Sequence, residues 1–540
     1  MSGVGAPLHP GPLVDAVTPP EAPPGGGAAV PGRRLHRLPP DSDVVELLTV
    51  GIDVGSATFH VSVSRVVLER RALALSTRFD VVTRETVVAS PVAFTPYLAS
   101  NDIDAVAVDA AVRRAYAEGG VDPEEIDSGV VLLTGSALLR HNARALAERL
   151  AGTSGRFVCA AAGHHFEAAL AAHGSGAVAR SLETADPVVA LDIGGATTKL
   201  ALVCGGDVRA TAAIGVGSRL LAWGPDRRLN RVESTAVPLA ESLGVAARLG
   251  DTIDASQVDA ICEAMALAVV GQLDPGIFEK ADLPAPYLTL GLTDVFPAPA
   301  RPFEIVASGG VAEFLADPNA RGDAHDVGDL GPDLARAILS RLEREGLARA
   351  LRTGLQRIRA TVIGASQFST QVSGSTIAVD RGALPLHHVP VVRPRIDLAC
   401  PTGVDSRAVE EALACVVSQR FAESGVPDTV AVSLGWGGAP THARLRALAE
   451  GLVAGQRAAG VARLVVALDA DVASSVGRIA TTELGVAAGT LLCLDNLDLA
   501  DLDYVDMGRP VEPAKVVPVV VKSLLFGGAG ARTAEATVRD

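Results

Sequence analysis

One nine-residue segment of this chain occurs twice, and this repeat limits the possible fold more than any other feature. VGIDVGSAT at 50–58 aligns with VALDIGGAT at 189–197, at an offset of 139 residues. In each copy an apolar run ends in Asp-x-Gly, and a segment of strand character follows it. The repeat predicts two similar domains, each opening with a strand, a tight turn and a second strand.

Composition divides the remaining chain into a tail and a third folded region. Residues 1–47 hold 10 of the 33 prolines, and we expect them to be disordered because they cannot bury enough apolar surface to offset chain entropy. The repeated lobes are predicted at 48–185 and 186–395. From 396 to 540 helices and strands alternate, which predicts a smaller α/β region ending in a buried strand within 516–526.

The composition also excludes several classes of protein. A formal net charge of −15 gives a surface that repels nucleic acid and anionic membranes, so neither is an expected partner. No apolar run approaches the ~18 residues that a membrane helix needs. The six cysteines lack the spacing of zinc or iron–sulfur sites, which indicates reduced thiols in a cytosolic protein.

The two Asp-x-Gly turns are candidates for binding a nucleotide. Backbone N–H groups in a glycine turn cradle phosphate oxygens, while a carboxylate beside them holds magnesium, usually through water. A single such turn is common, but two in matched contexts predict a grip on a nucleoside triphosphate from both sides. The candidate carboxylates, for catalysis and for metal, are Asp53 and Asp192. The candidate turn residues are Gly55, Ser56, Ala57 and Thr58 in the first copy, and Gly194, Gly195, Ala196, Thr197 and Thr198 in the second.

A third glycine turn supports the same interpretation. FEIVASGGVAEFL at 303–315 has the pattern of a strand, a Gly-Gly turn and a helix. Ser308, Gly309 and Gly310 lie in this turn, where glycine lets the backbone approach a base and ribose closely. The chain has no GxxxxGK[ST] motif, so it is not a P-loop protein.

These three elements resemble the two phosphate motifs and the adenosine motif of the actin, Hsp70 and sugar-kinase superfamily. Longer segments are similar to one family within it, the reactivating factors of ethanolamine ammonia-lyase. The resemblance covers about 48–526. Its most specific segments are RETVVASPVAFTP (84–96), RATVIGASQFSTQVSGSTI (359–377) and DYVDMGRPVEPAKVVPVVVK (503–522).

The resemblance implies a duplicated actin-like ATPase fold of the ribonuclease H-like type, with a two-lobed core and a C-terminal α/β extension. It implies hydrolysis of Mg-ATP to ADP, with Asp53 positioning Mg²⁺ and Asp192 orienting or deprotonating the attacking water. It further implies that the protein exchanges damaged cobalamin for adenosylcobalamin in the lyase, with either lyase subunit as partner. The implied location is the cytoplasm. The protein could also associate with an ethanolamine-utilisation microcompartment and form a homo-oligomer, and the sequence leaves both points open.

Two alternatives and two departures from the family pattern remain. A small-molecule kinase and a non-catalytic, nucleotide-binding scaffold are compatible with the same motifs. Ser136 stands where the family more often has an acidic residue, and the first turn reads GSAT where a Thr-rich version is usual. Both departures bear on the rate of hydrolysis.

Three further motifs favour structural roles. DAHDVG at 323–328 matches a cobalamin-binding signature around His325, but a loop precedes it where an apolar strand is required. His165, Glu167 and His173 lack the HExxH spacing of zinc sites, so we expect polar groups at a domain junction. The acidic run DNLDLADLDYVD at 495–506 lacks the pattern of a calcium loop and is predicted to be a solvated loop.

Overall fold

The computed structural model describes residues 44–523, apart from gaps within that range. The gaps are 71–78, 99–101, 136, 138–140, 156–157, 185, 281–289, 294, 318–327, 355, 369, 374–376, 379, 401–402, 423–424, 498, 500–502 and 512–515. Residues 1–43 of the predicted tail, Ser136 and His325 therefore lie outside the described residues. Among the helices that are described, none combines the length and apolar character needed to cross a membrane.

The first lobe is a mixed sheet with helices beside it. Its strands are β1 (Val44–Val54), β2 (Thr58–Arg70), β3 (Phe79–Ala89), β4 (Ala93–Phe94), β5 (Ser128–Leu133) and β6 (Val158–Ala162), and its helices are α1 (Ala105–Gly119) and α2 (Ala143–Thr153). The spatial order is β3-β2-β1-β5-β6, with β4 beside β2. Strands β1 to β3 are antiparallel, while β5 and β6 run parallel to β1.

The second lobe repeats this topology. Its elements are α3 (His164–Gly174), α4 (Ala177–Glu183), β7 (Val188–Ile193), β8 (Thr198–Cys204), β9 (Asp207–Ile214), β10 (Leu221–Trp223), β11 (Leu229–Val232), α5 (Ala236–Ser242), α6 (Ala255–Gly271), α7 (Gly276–Lys280), β12 (Glu304–Ser308), α8 (Val311–Ala316), α9 (Gly331–Arg344) and β13 (Leu351–Thr353). The main sheet has the order β9-β8-β7-β12-β13. Again the first three strands are antiparallel and the last two are parallel to the first.

The matching strand orders confirm the duplication that the repeat predicts. Each lobe places its first strand at the centre of the sheet, with an antiparallel hairpin on one side and two parallel strands on the other. This order is that of the ribonuclease H-like, actin-like core. Because β1 and β7 are both central, the two Asp-x-Gly turns lie at corresponding places in the two lobes.

Two helices, α3 and α10 (Ala360–Phe368), connect the lobes. Helix α3 packs on β7, β8 and β9 of the second lobe, whereas α10 packs on β1, β2 and β5 of the first. The two helices also pack on each other through glycine: a Cβ at Gly174 would overlap the Ala360 carbonyl oxygen, and one at Gly364 would overlap that of Leu170. A side chain at either glycine would therefore separate the helices.

The third region has its own sheet. It comprises β14 (Thr370–Val372), β15 (Leu386–Val392), α11 (Ser406–Arg420), β16 (Thr429–Leu434), α12 (His442–Ala458), β17 (Arg463–Leu468), α13 (Ala473–Thr482), β18 (Leu491–Leu494), β19 (Asp503–Met507) and β20 (Pro518–Ser523). The order is β14-β20-β19-β15-β16-β17-β18, with β15 to β18 parallel. The predicted closing strand is confirmed as β20.

Four predictions about the organisation of the chain need correction. Helices α3 and α4 pack on β7 and β8, so residues 164–183 belong with the second lobe and not with the predicted first lobe at 48–185. The third region begins near residue 370 rather than at 396, because β14 and β15 pair within its sheet. Strand β1 begins at Val44, so residues 44–47 of the predicted tail belong to the first lobe. The acidic run is not a solvated loop throughout, since Asp503–Met507 form β19 and the Asp495 and Asp506 side chains are buried.

Removing residues 1–43 and removing residues 1–47 should have different effects on stability. The shorter truncation leaves β1 intact, so we expect an unchanged melting temperature. The longer one removes Val45 and Leu47, which pack in a buried cluster with Val516, and should lower the free energy of unfolding by about 2–4 kcal/mol. Chemical denaturation of the two truncated proteins beside the full chain measures both effects. An equal loss in both would contradict the boundary at Val44.

Candidate nucleotide site

The two Asp-x-Gly turns have the same backbone geometry. Asp53 lies opposite His60 in the β1–β2 hairpin, and Asp192 lies opposite Lys199 in the β7–β8 hairpin. Gly55 N–H donates to the Thr58 carbonyl at 2.9 Å, and the equivalent Gly194 N–H donates to that of Thr197 at 3.0 Å. Each turn is thus closed by the same hydrogen bond at the same offset of the repeat.

Each aspartate accepts a hydrogen bond from a hydroxyl group at the end of the neighbouring parallel strand. Thr134 Oγ1 donates to Asp53 Oδ1 at 3.0 Å, and Ser308 Oγ donates to Asp192 Oδ1 at 2.8 Å. A glycine with positive φ follows each hydroxyl residue, Gly135 at 60° and Gly309 at 86°. The duplication therefore includes the groups that hold the two carboxylates.

The two turns meet between the lobes. A Cβ at Gly195 would lie 2.6 Å from the Ala57 Cβ, so the second turn packs directly on the first. A Cβ at Gly135 would overlap Ser56 Oγ and lie 3.6 Å from the Ala196 Cβ. All three predicted elements converge here, because Ser308 binds Asp192. The glycines are needed for this contact, and a phosphate group between the turns requires the lobes to move apart.

A buried lysine joins the two aspartates to helix α3. Lys199 Nζ lies 2.7 Å from Glu167 Oε2, and both side chains are buried. Burial alone would lower the pKa of Lys199, but Glu167, Asp192 and Asp53 together raise it, so the ammonium group stays charged. Glu167 comes from the helix between the lobes, so this ion pair ties α3 to the second turn.

The three carboxyl groups of this cluster are all harder to ionise than usual. Burial, then the charge of Glu167, raises the pKa of Asp53 to about 7, although Lys199 and Thr134 act in the opposite direction. Burial also raises the pKa of Asp192 and of Glu167, and Lys199 partly offsets both shifts. Three carboxylates around one ammonium leave a formal charge of −2 when all are ionised. One divalent cation would cancel it.

This donor set fits a magnesium ion that is bound by protein carboxylates and by substrate phosphates together. No three His, Cys, Asp or Glu residues within the described ranges are arranged to hold a metal by themselves. Mg²⁺ commonly binds through one or two carboxylates, with water and substrate phosphates as the remaining ligands. Asp53 and Asp192 match that pattern.

The candidate phosphate-binding hydroxyl groups differ in availability. Thr197 Oγ1 is buried and has no hydrogen-bond partner among the described residues, so it fits a phosphate oxygen. Thr198 is different, because its hydroxyl donates to the Val216 carbonyl at 2.8 Å inside the second lobe. Thr58 is half-buried at the start of β2. Among these three hydroxyl groups, Thr197 is therefore the best suited to donate to phosphate.

The adenosine turn is held firmly at one end of β12. Ser308 is fully buried on Asp192, and a Cβ at Gly309 would overlap the Ile193 carbonyl oxygen. Gly309 is therefore needed for packing against β7, whatever contact its backbone makes with a ligand. At Gly310 a Cβ would meet only Ile358 Cδ1, at 3.6 Å, so that side of the turn is open. The contact of both glycines with adenosine stays a prediction.

Sequence reasoning missed Lys199 and Thr134 and gave Glu167 no role in this site. His165, which was grouped with Glu167, instead has its Nδ1 2.8 Å from Thr211 Oγ1. The repeat itself carried a usable signal, because Lys199 stands at the position of His60 after the offset of 139 residues. Lysine is almost never fully buried unless it is paired, so Lys199 in a buried hairpin indicates a carboxylate partner.

Comparisons with known proteins identify the family of this chain. The family model described as ethanolamine utilisation protein EutA matches residues 45–527. The chain belongs to the EutA family. Proteins named ethanolamine ammonia-lyase reactivase EutA, from Salmonella typhimurium and Escherichia coli K12, are each 30% identical over 488 residues, covering 89% of this chain and 99% of theirs.

Solved structures with related folds are more distant from this EutA family member. They include EutJ from Carboxydothermus hydrogenoformans, at 15% identity over 59% of this chain and 89% of that one, with a TM-score of 0.28. MreB5 of Spiroplasma citri bound to AMPPNP is 12% identical over 59% of this chain and 94% of that one, with a TM-score of 0.28. A PPX-GPPA enzyme of Aquifex aeolicus is 15% identical over 60% of this chain and 100% of that one, with a TM-score of 0.33. At these values they say nothing about function.

Asp53→Asn should make the protein more stable at pH 8 and remove part of its pH dependence. A folded-state pKa above the unfolded value means that the stability contribution is full below about pH 4 and is lost as the pH rises through about 7. Asparagine avoids the buried charge and can still accept from Thr134. We expect a gain on the order of 2 kcal/mol at pH 8 and little difference at pH 4, measured by urea unfolding. A pH-independent difference would contradict the raised pKa.

Lys199→Met should be strongly destabilising, because it leaves buried carboxylates without their cation. Losing one partner of a buried ion pair costs about 3–5 kcal/mol. In a Glu167→Gln background the same substitution should cost at least about 1 kcal/mol less. Unfolding of the four proteins in this double-mutant cycle measures the coupling. Equal costs of Lys199→Met in both backgrounds would show that the pair does not act as a unit.

Proposed function

We propose that this protein is an ATP-dependent reactivating factor for adenosylcobalamin-dependent ethanolamine ammonia-lyase. In this role it promotes exchange of damaged cobalamin for intact adenosylcobalamin and does not perform the deamination itself. Membership of the EutA family, and the names of its two curated relatives, support the choice of partner. The observation that carries the proposal is the meeting of two matched aspartate turns around Lys199.

The site residues divide between metal and phosphate. Asp53 and Asp192 would hold Mg²⁺, which would neutralise charge on the phosphates. The N–H groups of the two turns other than those of Gly55 and Gly194, which close the turns, donate to phosphate oxygens together with the Thr197 hydroxyl. Asp192, whose raised pKa makes its carboxylate a better proton acceptor, orients or deprotonates the attacking water.

Lobe movement is the proposed link between the nucleotide and the lyase. Because the turns touch, a nucleotide must hold them apart, and its phosphates then replace the contact of Gly195 with Ala57. We expect the second lobe to rotate relative to the first about the crossing of α3 and α10, because these two helices connect the lobes and pack closely on each other. A partner that binds the ATP-bound and ADP-bound arrangements with different affinity converts hydrolysis into release of a tightly held cofactor.

Reactivation in a purified system tests this function. Lyase stalled with damaged cobalamin is incubated with the protein, Mg-ATP and adenosylcobalamin, and ammonia release from ethanolamine is measured. We expect repeated recovery of activity with the complete mixture and little without ATP. Asp192→Ala should behave like the omission of ATP. Asp207→Asn is the matched control, because Asp207 is an exposed residue of the same lobe paired with Arg209.

The outcomes separate the proposal from its alternatives. Equal recovery with and without the protein would reject the reactivating function. Nucleotide binding without turnover, in the presence of the lyase, would favour the scaffold. Transfer of phosphate to a member of a panel of small hydroxy compounds would favour the kinase. A slowly hydrolysed ATP analogue in the same mixture shows whether binding or hydrolysis drives the exchange.

A further inference from the structure

The segment after β9 lies directly on the second phosphate turn. Ser218 N–H donates to the Gly194 carbonyl at 3.0 Å, and Arg219 N–H donates to the Gly195 carbonyl at 2.6 Å. A Cβ at Gly217 would lie 2.5 Å from the carbonyl carbon of Gly195, so the two segments are in close contact. The backbone of Arg219 is therefore fixed to the second Asp-x-Gly turn, which is a candidate phosphate-binding turn.

The side chain of Arg219 crosses from the second lobe to the first. Its guanidinium carbon lies 4.7 Å from the centroid of the Phe94 ring. Phe94 is in β4 and pairs with Thr58, the last residue of the first turn. The guanidinium group is thus placed beside the junction of both turns. The backbone of Arg219 contacts the second-lobe side of the proposed cleft, and its guanidinium group contacts the first-lobe side.

The guanidinium group of Arg219 lacks a complete set of partners. Its Nε is buried and has no hydrogen-bond acceptor among the described residues. The neighbouring Arg231 differs, because its Nη2 lies 2.6 Å from Glu233 Oε1. Burial lowers the pKa of Arg219 and Arg231 acts in the same direction, while Asp329 and Tyr97 partly offset this shift. An aromatic ring offers this cation attraction but no hydrogen-bond acceptor.

We propose that Arg219 binds the terminal phosphate of ATP and rests on Phe94 when that phosphate is absent. This inference rests on the proposed function, since it assumes that ATP enters between the two turns. Guanidinium is the side-chain group best matched to phosphate, because its planar donors bind two oxygens at once. Arg219 would then distinguish ATP from ADP and couple the terminal phosphate to the contact between the lobes.

A purely structural role for Arg219 makes a different prediction. If Arg219 only clamped the lobes through Phe94, removing it would ease opening and would raise the affinity for ATP and ADP alike. If Arg219 binds the terminal phosphate, removing its side chain lowers the affinity for ATP and leaves the affinity for ADP almost unchanged. The ratio of the two affinities therefore separates the roles without any measurement of turnover.

Calorimetric titration of the full chain with Mg-ATP and with Mg-ADP is the test. For Arg219→Met we expect ATP affinity to fall about ten- to hundredfold and ADP affinity to change less than about threefold. Arg219→Lys should lose less than Arg219→Met, because it keeps the charge without the planar donors. Phe94→Ala should raise ATP affinity, since it removes the competing contact. Melting temperatures verify that each variant is folded.

Arg227→Met is the matched control. Arg227 also stacks on an aromatic ring, that of Trp223 at 4.6 Å, but both residues belong to the second lobe. Arg227→Met should leave the affinities for Mg-ATP and Mg-ADP unchanged. Unchanged ATP affinity in folded Arg219→Met, or an equal change for ATP and ADP, would overturn the role of Arg219. Failure of the unmodified protein to bind either nucleotide would instead reject the proposed function, and this inference with it.

Discussion

Three buried carboxylates around one buried ammonium group are the constraint on which the rest of the structure depends. Asp53 belongs to the first lobe, Asp192 and Lys199 to the second, and Glu167 to the helix between them. Buried charges are tolerated only where partners are held in place. The hydroxyl groups of Thr134 and Ser308, the glycine turns and the crossing of α3 with α10 all serve to hold them. The site and the contact between the lobes are therefore one structure.

The duplication explains most of what the sequence could predict. Asp53 and Asp192 stand in matched contexts, and a repeat of this kind fixes a strand, a turn and a strand in both lobes. Glu167 could not be found in this way, because its partner Lys199 lies on another element and only the packing of α3 against β8 brings them together. The start of the third region was missed for a different reason. Proline and two histidines conceal the strand character of β15.

The two halves have also diverged at the position opposite the aspartate. His60 is buried with neither ring nitrogen hydrogen-bonded to a described residue, and burial lowers its pKa to about 3, so it is neutral. The equivalent Lys199 keeps its charge because three carboxylates surround it. The first half thus supplies a carboxylate without a counter-charge, and the second supplies the counter-charge for both. This asymmetry means that the halves cannot exchange roles, although their backbones match.

The packing of the third region determines which part of the protein can be displaced. Val520 of β20 shares a buried cluster with Val130 and Leu132 of the first lobe, and Val516 shares another with Val45 and Leu47. The main core of the second lobe contains only residues from 189 to 347 among those described. The first lobe and the third region therefore share two buried clusters, and among the described residues the second lobe joins one of them only through Leu170 and Phe166 of α3. A rotation of the second lobe would therefore disturb these shared clusters only at α3.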